Sequence, residues 1–215
     1  MCFSATASII AGGGLSVIGV LTLRQVRQKR DLLFASIPLL FGIQQIVEGV
    51  VWLSFGTHTL NMVATYAYSM FSHVLWPILV PLSVLLIETD PIRKKVLRIF
   101  ALVGLLVGLY LLHLIVADKV TAQIVGNSIA YHSPHLYPLT IMTLYLVATC
   151  GSCLCASNKI INIFGIALLA SFGVSVWFFS ETFFSVWCFF SAILSLLVLL
   201  FFRRNFTSQA RVETS

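Results

Sequence analysis

Long apolar runs separated by short polar gaps recur along nearly the whole chain. The hydrocarbon core of a bilayer is roughly 30 Å thick, so a helix that crosses it needs about 20 apolar residues. Seven runs approach that length: residues 3–23, 32–54, 61–87, 99–117, 137–156, 160–179 and 182–202. The pattern therefore predicts an all-α, polytopic integral membrane protein with seven transmembrane helices. We expect one transmembrane domain over residues 1–204 and a short polar tail over residues 205–215.

The overall composition excludes a water-soluble domain. Hydrophobic residues make up 59% of the chain, charged residues make up only 9%, and the mean hydropathy is +1.01. Soluble domains carry about 25% charged residues, so this chain is far outside their range. The gaps between the apolar runs are too short to hold a soluble domain. Any chemistry must therefore take place within the membrane or at its surface.

Basic residues fall in alternate gaps between the predicted helices, and they predict the orientation of the chain. Lys119 is the one exception among the 13 lysines and arginines. By the positive-inside rule the C-terminus is cytoplasmic and, with seven helices, the N-terminus lies outside. The net charge of +6 is explained by this orientation and by attraction to anionic membrane lipids. No basic stripe with interleaved aromatic residues is present, so we expect lipids and not nucleic acid as partners.

Glu48 and His73 are ionisable residues inside predicted helices, where a charge is costly. Glu48 lies in the second segment and His73 lies in the third. A charge at helix-centre depth costs at least ~2.5 kcal/mol on insertion scales, so such residues usually face a cavity or a partner. Gln44 lies one turn before Glu48, and Ser69 lies one turn before His73. We interpret Glu48, His73 and Ser69 as candidate catalytic residues, while His73 is also compatible with a packing role.

The seventh segment carries a seam of small and polar residues. Glu181, Ser185 and Cys188 follow one another at helical spacing on one face. At 1.5 Å per residue, Glu48 lies about 7 Å and His73 about 18 Å below the outer ends of their helices, and Glu181 lies at the outer mouth. We therefore expect a polar funnel between the second, third and seventh helices that opens to the extracytoplasmic side. Glu181 also fits the ordinary role of a carboxylate at a helix N-terminus.

The first residues of the chain add a candidate metal ligand. Initiator methionine is normally removed before a small second residue, and its removal would leave Cys2 with a free amine and thiol on the outer side. Together with four residues of the expected funnel, Cys2 completes a set of candidate ligands for zinc or another divalent metal. The set is Glu48, His73, Glu181, Cys188 and Cys2.

The chain resembles a family of uncharacterised bacterial multi-spanning membrane proteins that begin with nearly the same Met-Cys-Phe-Ser-Ala-Thr-Ala-Ser string. The likeness covers almost the whole length and includes residues 40–52, the helix of His73, and residues 185–190. The resemblance implies a multi-pass protein of the bacterial cytoplasmic membrane. It brings no activity with it, but it includes the same polar residues that the depth argument selects.

A partial resemblance to seven-helix, metal-dependent hydrolases of the alkaline ceramidase type rests on residues 69–73. Ser69-Met70-Phe71-Ser72-His73 matches their Ser-x-x-x-His element. Their second element, His-x-x-x-His in the last helix, is absent here, so their three-histidine zinc site cannot be transferred. The resemblance implies a metal that polarises water for attack on a lipid or small molecule, with a carboxylate as base. The leading hypothesis is therefore a metal-binding, hydrolytic intramembrane site.

Two other classes of function fit the same residues. Phe41-Gly42-Ile43 in the second segment recurs as Phe164-Gly165-Ile166 in the sixth, and both segments run outward from the cytoplasm. A three-plus-one-plus-three arrangement of parallel repeats, as in small sugar permeases, would place a transport site at the midplane. Glu48 or His73 would then carry a coupling proton. A sensor or assembly partner without turnover is the third class, since helix packing alone also requires small and polar seams.

Overall fold

Long helices account for most of the structure. The computed structural model describes residues 4–133 and 139–213, with side chains up to residue 204. The helices are α1 Ala5–Leu23, α2 Lys29–Leu53, α3 His58–Ile87, α4 Pro91–Ala117, α5 Leu139–Leu154, α6 Lys159–Phe178 and α7, which runs over Phe183–Leu194 and continues after Ser195 as Leu196–Glu213. The residues predicted as a polar tail thus extend the last helix. The predicted boundaries mostly agree with these helices to within about three residues.

Within the described residues, six helices are long and apolar enough to cross a membrane: α1, α2, α3, α4, α6 and α7. This confirms the predicted class, a helical protein with several membrane-spanning segments. Helix α5 is also apolar but shorter, and at 1.5 Å per residue it is about 24 Å long. The count of seven spans and the orientation of the chain stay predictions.

A β-hairpin interrupts the helical pattern between α4 and α5, so the prediction of an all-α fold is wrong in this detail. Strand β1, Thr121–Val125, pairs antiparallel with strand β2, Ser128–His132. Gly126 has a φ of 59° at the first position of the two-residue turn, a conformation that glycine adopts without strain. Strand β2 packs on the first part of α7, and β1 contacts the start of α3. The hairpin therefore covers one end of the bundle, which we call the hairpin end.

Glycines allow α1 and α2 to pack closely. A Cβ atom at Gly12 would lie 2.8 Å from the carbonyl oxygen of Gly42, and one at Gly42 would lie 2.7 Å from the backbone nitrogen of Ser16. In the membrane, where apolar surface alone does not hold helices together, such small residues permit the backbone contact that does. Helices α1 and α2 therefore form one closely packed pair.

The next helices also pair through glycine. A Cβ atom at Gly104 of α4 would meet the carbonyl oxygen of Pro77 in α3, and one at Gly108 would lie 2.7 Å from Ile78. Gly165 of α6 packs on α5, where an added Cβ would lie 2.7 Å from the Cβ of Cys153. Pairs α3–α4 and α5–α6 thus repeat the arrangement of α1–α2. Cys153 belongs to this packing contact.

Polar contacts tie the loops at the other end of the bundle, which we call the basic end. The carboxylate of Glu88, after α3, accepts hydrogen bonds from the backbone N–H and the hydroxyl of Ser157, at 2.7 and 2.8 Å. Arg93 at the start of α4 donates to the carbonyl oxygens of Cys155 and Ala156, at 3.1 and 3.0 Å. These bonds fasten the α3–α4 loop to the α5–α6 loop and close the bundle at this end.

Candidate functional site

A π-helical turn over Met70–Leu75 distorts α3 at the level of His73. In a π turn the carbonyl oxygen of residue i accepts a hydrogen bond from the backbone N–H of residue i+5. The residue five positions after Ser72 is Pro77, whose nitrogen carries no hydrogen, so the carbonyl of Ser72 has no donor at the i+5 position. The hydroxyl of Tyr145 from α5 instead donates to that carbonyl oxygen at 2.7 Å. The proline therefore explains both where the π turn ends and why α5 docks there.

His73 is held by its own helix and by α7. Its Nδ1 atom lies 2.7 Å from the hydroxyl oxygen of Ser72, and its ring stacks on Phe184 with 4.3 Å between ring centroids. The hydroxyl of Ser69 donates to the carbonyl of Thr65 at 2.8 Å, within α3. The structure thus places His73 in a stacking contact and Ser69 in a local hydrogen bond.

Glu48 lies fully buried in α2, with 0% of its surface exposed. The hydroxyl of Ser185 in α7 donates to its Oε1 atom at 2.5 Å, and Gln45 and Tyr68 lie against the same carboxyl group. The second oxygen, Oε2, is equally buried and has no hydrogen bond of acceptable geometry to the residues that the structure describes. A buried polar atom without a partner costs roughly 1–3 kcal/mol, and such atoms in native proteins usually mark a functional feature.

Further polar groups surround this carboxylate. Gln44 accepts a hydrogen bond at Oε1 from the indole nitrogen of Trp76, at 2.6 Å. Its Nε2 atom and both polar atoms of the Gln45 amide are buried without a hydrogen bond of good geometry, although both amides lie against other groups of the cluster. Cys188 of α7 interacts with Tyr68, Gln44 and Glu48. We call this cluster the carboxyl site; its members are Gln44, Gln45, Glu48, Tyr68, Ser185 and Cys188.

A small cavity of about 30 Å³ lies among buried side chains beside the carboxyl site, with room for about one water molecule. Its wall combines Phe41 and Trp76, from α2 and α3, with Phe164 and Trp187, from α6 and α7; Cys188 also lines it. Each tryptophan donates its indole N–H to the helix that comes immediately before its own in the chain. Trp76 donates to Gln44 of α2 at 2.6 Å, and Trp187 donates to the carbonyl of Leu168 in α6 at 3.1 Å. We call this space the central cavity.

A larger pocket of about 760 Å³ lies at the hairpin end, between the start of α1, the hairpin turn and the α6–α7 loop. Glu181 lines it together with Phe178, Phe179 and Asn127, and Thr182 is also part of its wall. Ser185 of the carboxyl site follows Thr182 by one turn of α7. We call this pocket the vestibule.

Most of the polar residues expected in an open funnel are enclosed, whereas Glu181 is exposed in the wall of the vestibule. Tyr131 of β2 stacks on Tyr68 of α3 with 4.4 Å between ring centroids and 8° between ring planes. The hairpin thus lies directly over the carboxyl site, and Glu48, His73 and Cys188 are at most 3% exposed. The sequence could not predict this cover because the hairpin itself was not predicted.

The candidate metal ligands are only partly brought together. Glu48 and Cys188 share the carboxyl site, but Glu181 lines the vestibule and His73 is stacked on Phe184. Cys2 lies outside the described residues. Within residues 4–133 and 139–213, no group of three or more His, Cys, Asp or Glu side chains is arranged to hold a metal. The described structure therefore does not support the predicted metal-binding site.

Sequence reasoning selected Glu48, Ser185 and Cys188 but missed the aromatic partners of the site. Trp76 and Trp187 lie in apolar runs where nothing in the hydropathy pattern separates them from lipid-facing residues. One sequence feature could have identified these two tryptophans: each lies in the helix that follows a Phe-Gly-Ile segment. Tyr131 had no such signal.

Comparison with known proteins assigns the chain to a family. A family model described as a family of unknown function, DUF6629, matches residues 1–213, so the chain belongs to this family. No curated protein and no solved structure matches the chain. None of the comparisons shows a resemblance to alkaline ceramidases.

Proposed function

We propose that this member of the family is a small membrane transporter whose solute site lies between two three-helix halves. The observation that carries the proposal is the central cavity. One wall comes from Phe41 and Trp76, and the other comes from the corresponding Phe164 and Trp187. Transport sites of repeat-built transporters lie between the repeats near the bilayer midplane.

The Phe-Gly-Ile segments support the division into halves. Phe41 and Phe164 are both buried, at 4% and 2% exposed, and both line the central cavity. Gly42 packs on α1, and Gly165 packs on α5, so each glycine contacts the helix that precedes its own. The matched roles of these residues favour one half of α1, α2 and α3, another of α5, α6 and α7, and α4 as the connection.

Glu48 supplies the group that couples transport to protons. A carboxylate at this depth is costly unless it is protonated, paired or hydrated. Ser185 links Glu48 across the interface from α2 in one half to α7 in the other. A change in the protonation of Glu48 would therefore alter a contact between the two halves. Contacts between the halves must change when the solute site opens first to one side of the membrane and then to the opposite side.

Each end of the bundle carries a contact that could serve as a gate. Tyr68 stacks on Tyr131 at the hairpin end, and Glu88 bonds Ser157 at the basic end, beside a pocket of about 420 Å³. Alternating access requires that each closure open while the other holds. A catalytic or sensory site would need access from one side only.

Access to Cys188 from both sides of the membrane tests the proposal. Cys188 lines the central cavity, and the variant to be used replaces the other four cysteines, Cys2, Cys150, Cys153 and Cys155, with alanine. Right-side-out and inside-out vesicles are treated with a small membrane-impermeant methanethiosulfonate, and the modified fraction is measured by mass spectrometry. The transporter proposal expects labelling of Cys188 in both preparations.

Two single-cysteine controls calibrate the experiment. In a cysteine-free chain, Gln123→Cys on the exposed face of β1 should be labelled from the hairpin side, and Lys95→Cys at the basic end from the other side. Labelling of Cys188 from one side only would contradict transport and favour a one-sided catalytic or receptor site. No labelling from either side would favour a purely structural role for the cavity.

A further inference from the structure

Aromatic side chains dominate the wall of the central cavity. Phe41, Trp76, Tyr145, Phe164 and Trp187 all line it, and they come from five different helices. The negative faces of aromatic rings attract ammonium groups without forming hydrogen bonds. Phe41 and Trp76 stack on each other with 3.8 Å between ring centroids, so each has one face covered by the other. The cavity therefore has side chains of the type that form aromatic cages, with part of their surface engaged in mutual stacking.

A buried carboxyl group interacts with one residue of the cavity wall. Glu48 does not line the cavity itself, but Cys188 does, and Cys188 interacts electrostatically with Glu48. The Oε2 atom of Glu48 is buried without a hydrogen bond of good geometry, and the donors that lie against the carboxyl group, Gln45 and Tyr68, are neutral. A buried carboxyl group with neutral neighbours is neutralised either by its own proton or by a cation that binds beside it.

The vestibule at the hairpin end also combines aromatic side chains with a carboxylate. Glu181 lies in its wall with Phe178 and Phe179, and neither the vestibule nor the central cavity is lined by a lysine or arginine among the described residues. Side chains of one sign raise the local concentration of ions of the opposite sign. Both spaces thus favour a cation with an apolar body.

We propose that the transported solute is an organic ammonium cation that is exchanged for a proton at Glu48. This inference rests on the proposed transport function and names the substrate class of the same site. The cation would sit among the rings of the central cavity, with its charge toward Glu48. At about 30 Å³ the cavity must widen to admit it, as movement of the two halves would allow.

Exchange follows from the single carboxylate. A net charge in a low-dielectric interior is strongly unfavourable, so the site is occupied either by a proton on Glu48 or by a cation paired with ionised Glu48. One cation entering displaces one proton to the same side, and the reverse occurs at the other side. The titratable side chains that face Glu48 from the helices packed against it are Tyr68 of α3 and Cys188 of α7.

Binding of a matched pair of probes tests the substrate class. N-methylpyridinium and toluene have nearly the same shape, but only the first carries a charge. We expect radiolabelled N-methylpyridinium to bind the purified protein in detergent, with an apparent Kd that increases as the pH is lowered because protons compete. Toluene in large excess should not displace it, whereas tetramethylammonium should.

Variants identify the carboxylate responsible. Glu48→Gln should weaken N-methylpyridinium binding by roughly 100-fold or more, since loss of one partner from a buried charge pair is costly. Asp118→Asn removes a carboxylate at the same end of the bundle that lines neither space, and it should leave the Kd within about twofold. In proteoliposomes that contain a pH-sensitive dye, an N-methylpyridinium gradient should drive proton flux in the opposite direction.

The outcomes separate this inference from the transport proposal. Labelling of Cys188 from both sides without N-methylpyridinium binding would leave transport intact and overturn the ammonium assignment. Binding that is independent of pH and of Glu48, or equal binding of toluene, would also overturn it. Glu48-dependent binding without proton flux, together with one-sided labelling, would overturn both transport and exchange.

Discussion

Ser185 on α7 donates a 2.5 Å hydrogen bond to the Glu48 carboxylate on α2, and the two residues are 137 positions apart in the chain. Removing the donor leaves a buried acceptor without its partner, which costs about 1–3 kcal/mol. We expect Ser185→Ala to lower the free energy of unfolding by about this amount. In a Glu48→Leu background the same change should cost less, because leucine offers no oxygen to the Ser185 hydroxyl.

A double-mutant cycle on Ser185 and Glu48 measures this difference, and residues in direct contact typically couple by about 0.5–3 kcal/mol. Ser195→Ala is the matched control, since the Ser195 hydroxyl bonds the carbonyl of Ala192 within the same helix. Unfolding in mixed detergent provides the free energies. Additive effects of Ser185→Ala and Glu48→Leu would contradict the contact.

The packing of α4 on α3 depends on the absence of a side chain at Gly104. Gly104→Ala would place a Cβ against the carbonyl oxygen of Pro77 and 2.9 Å from Cγ of Pro81. Overpacking of this kind costs about 1–3 kcal/mol. Gly14→Ala in α1 is the control, because nothing lies within 4 Å of an added Cβ there. The melting temperature should fall for Gly104→Ala and not for Gly14→Ala. An equal fall in both variants, or no fall in either, would contradict the close contact.

Glu88 at the basic end should make the stability of the protein dependent on pH. Burial raises the pKa of its carboxyl, but hydrogen bonds from the backbone N–H groups of Asp90, Ser157 and Thr89 and from the Ser157 hydroxyl outweigh burial and hold the pKa below its ordinary value of 4.5. The folded state therefore favours the charged form. Its contribution is fully present above pH 4.5 and is lost as the pH falls through the lowered pKa.

The measurement for Glu88 is the free energy of unfolding as a function of pH for the wild type and Glu88→Gln. The destabilisation by Glu88→Gln should be largest near pH 7 and should shrink below pH 4.5. Ser157→Ala removes one hydrogen bond to the same carboxylate and should reproduce part of this dependence. A difference that stays constant from pH 7 to pH 3 would contradict the assignment.

Tyr131 should control access to the carboxyl site from the hairpin end. A stacked aromatic pair contributes about 0.5–1.5 kcal/mol beyond its buried area, and 1.4 kcal/mol corresponds to a factor of ten in an equilibrium. We expect Tyr131→Ala to raise the rate of Cys188 labelling from that side about tenfold and to leave labelling from the basic end unchanged. Ile124→Ala, at a half-exposed position of β1, should not change either rate.

Metal content decides the hydrolase hypothesis. The described residues bring Glu48 and Cys188 together but not His73 or Glu181, so we expect the protein purified in mild detergent to contain far less than one metal ion per chain. Elemental analysis of the wild type, Glu48→Gln and His73→Ala provides the measurement. Near-stoichiometric metal that is lost in both variants would restore the hydrolase hypothesis.

The apolar runs predicted the helices well because a chain in lipid must satisfy its backbone hydrogen bonds within each segment. The third predicted segment, residues 61–87, corresponds to His58–Ile87, and the sixth, residues 160–179, corresponds to Lys159–Phe178. The depth argument likewise selected Glu48 and Cys188, which the structure places in one site.

Contacts between helices were much harder to predict. Every face of a transmembrane helix is apolar, so periodicity does not show that Trp76 turns toward Gln44 and not toward lipid. The hairpin carries a recognisable signal, Gly126-Asn127 between two runs that favour strands, but a hydropathy pattern in search of membrane helices does not detect it. His73 was selected for its polarity, whereas its ring is engaged in stacking on Phe184.

The separation of Glu48 and Ser185 along the chain has a consequence for biosynthesis. At roughly 5–20 residues per second, the 137 residues between them take roughly 7–27 s to synthesise. Helix α2 therefore enters the bilayer well before the partner of its carboxylate exists. The glycine contacts with α1, which is made first, are available during that interval. The nascent α1–α2 pair would hold Glu48 in the membrane until α7 arrives and completes the site.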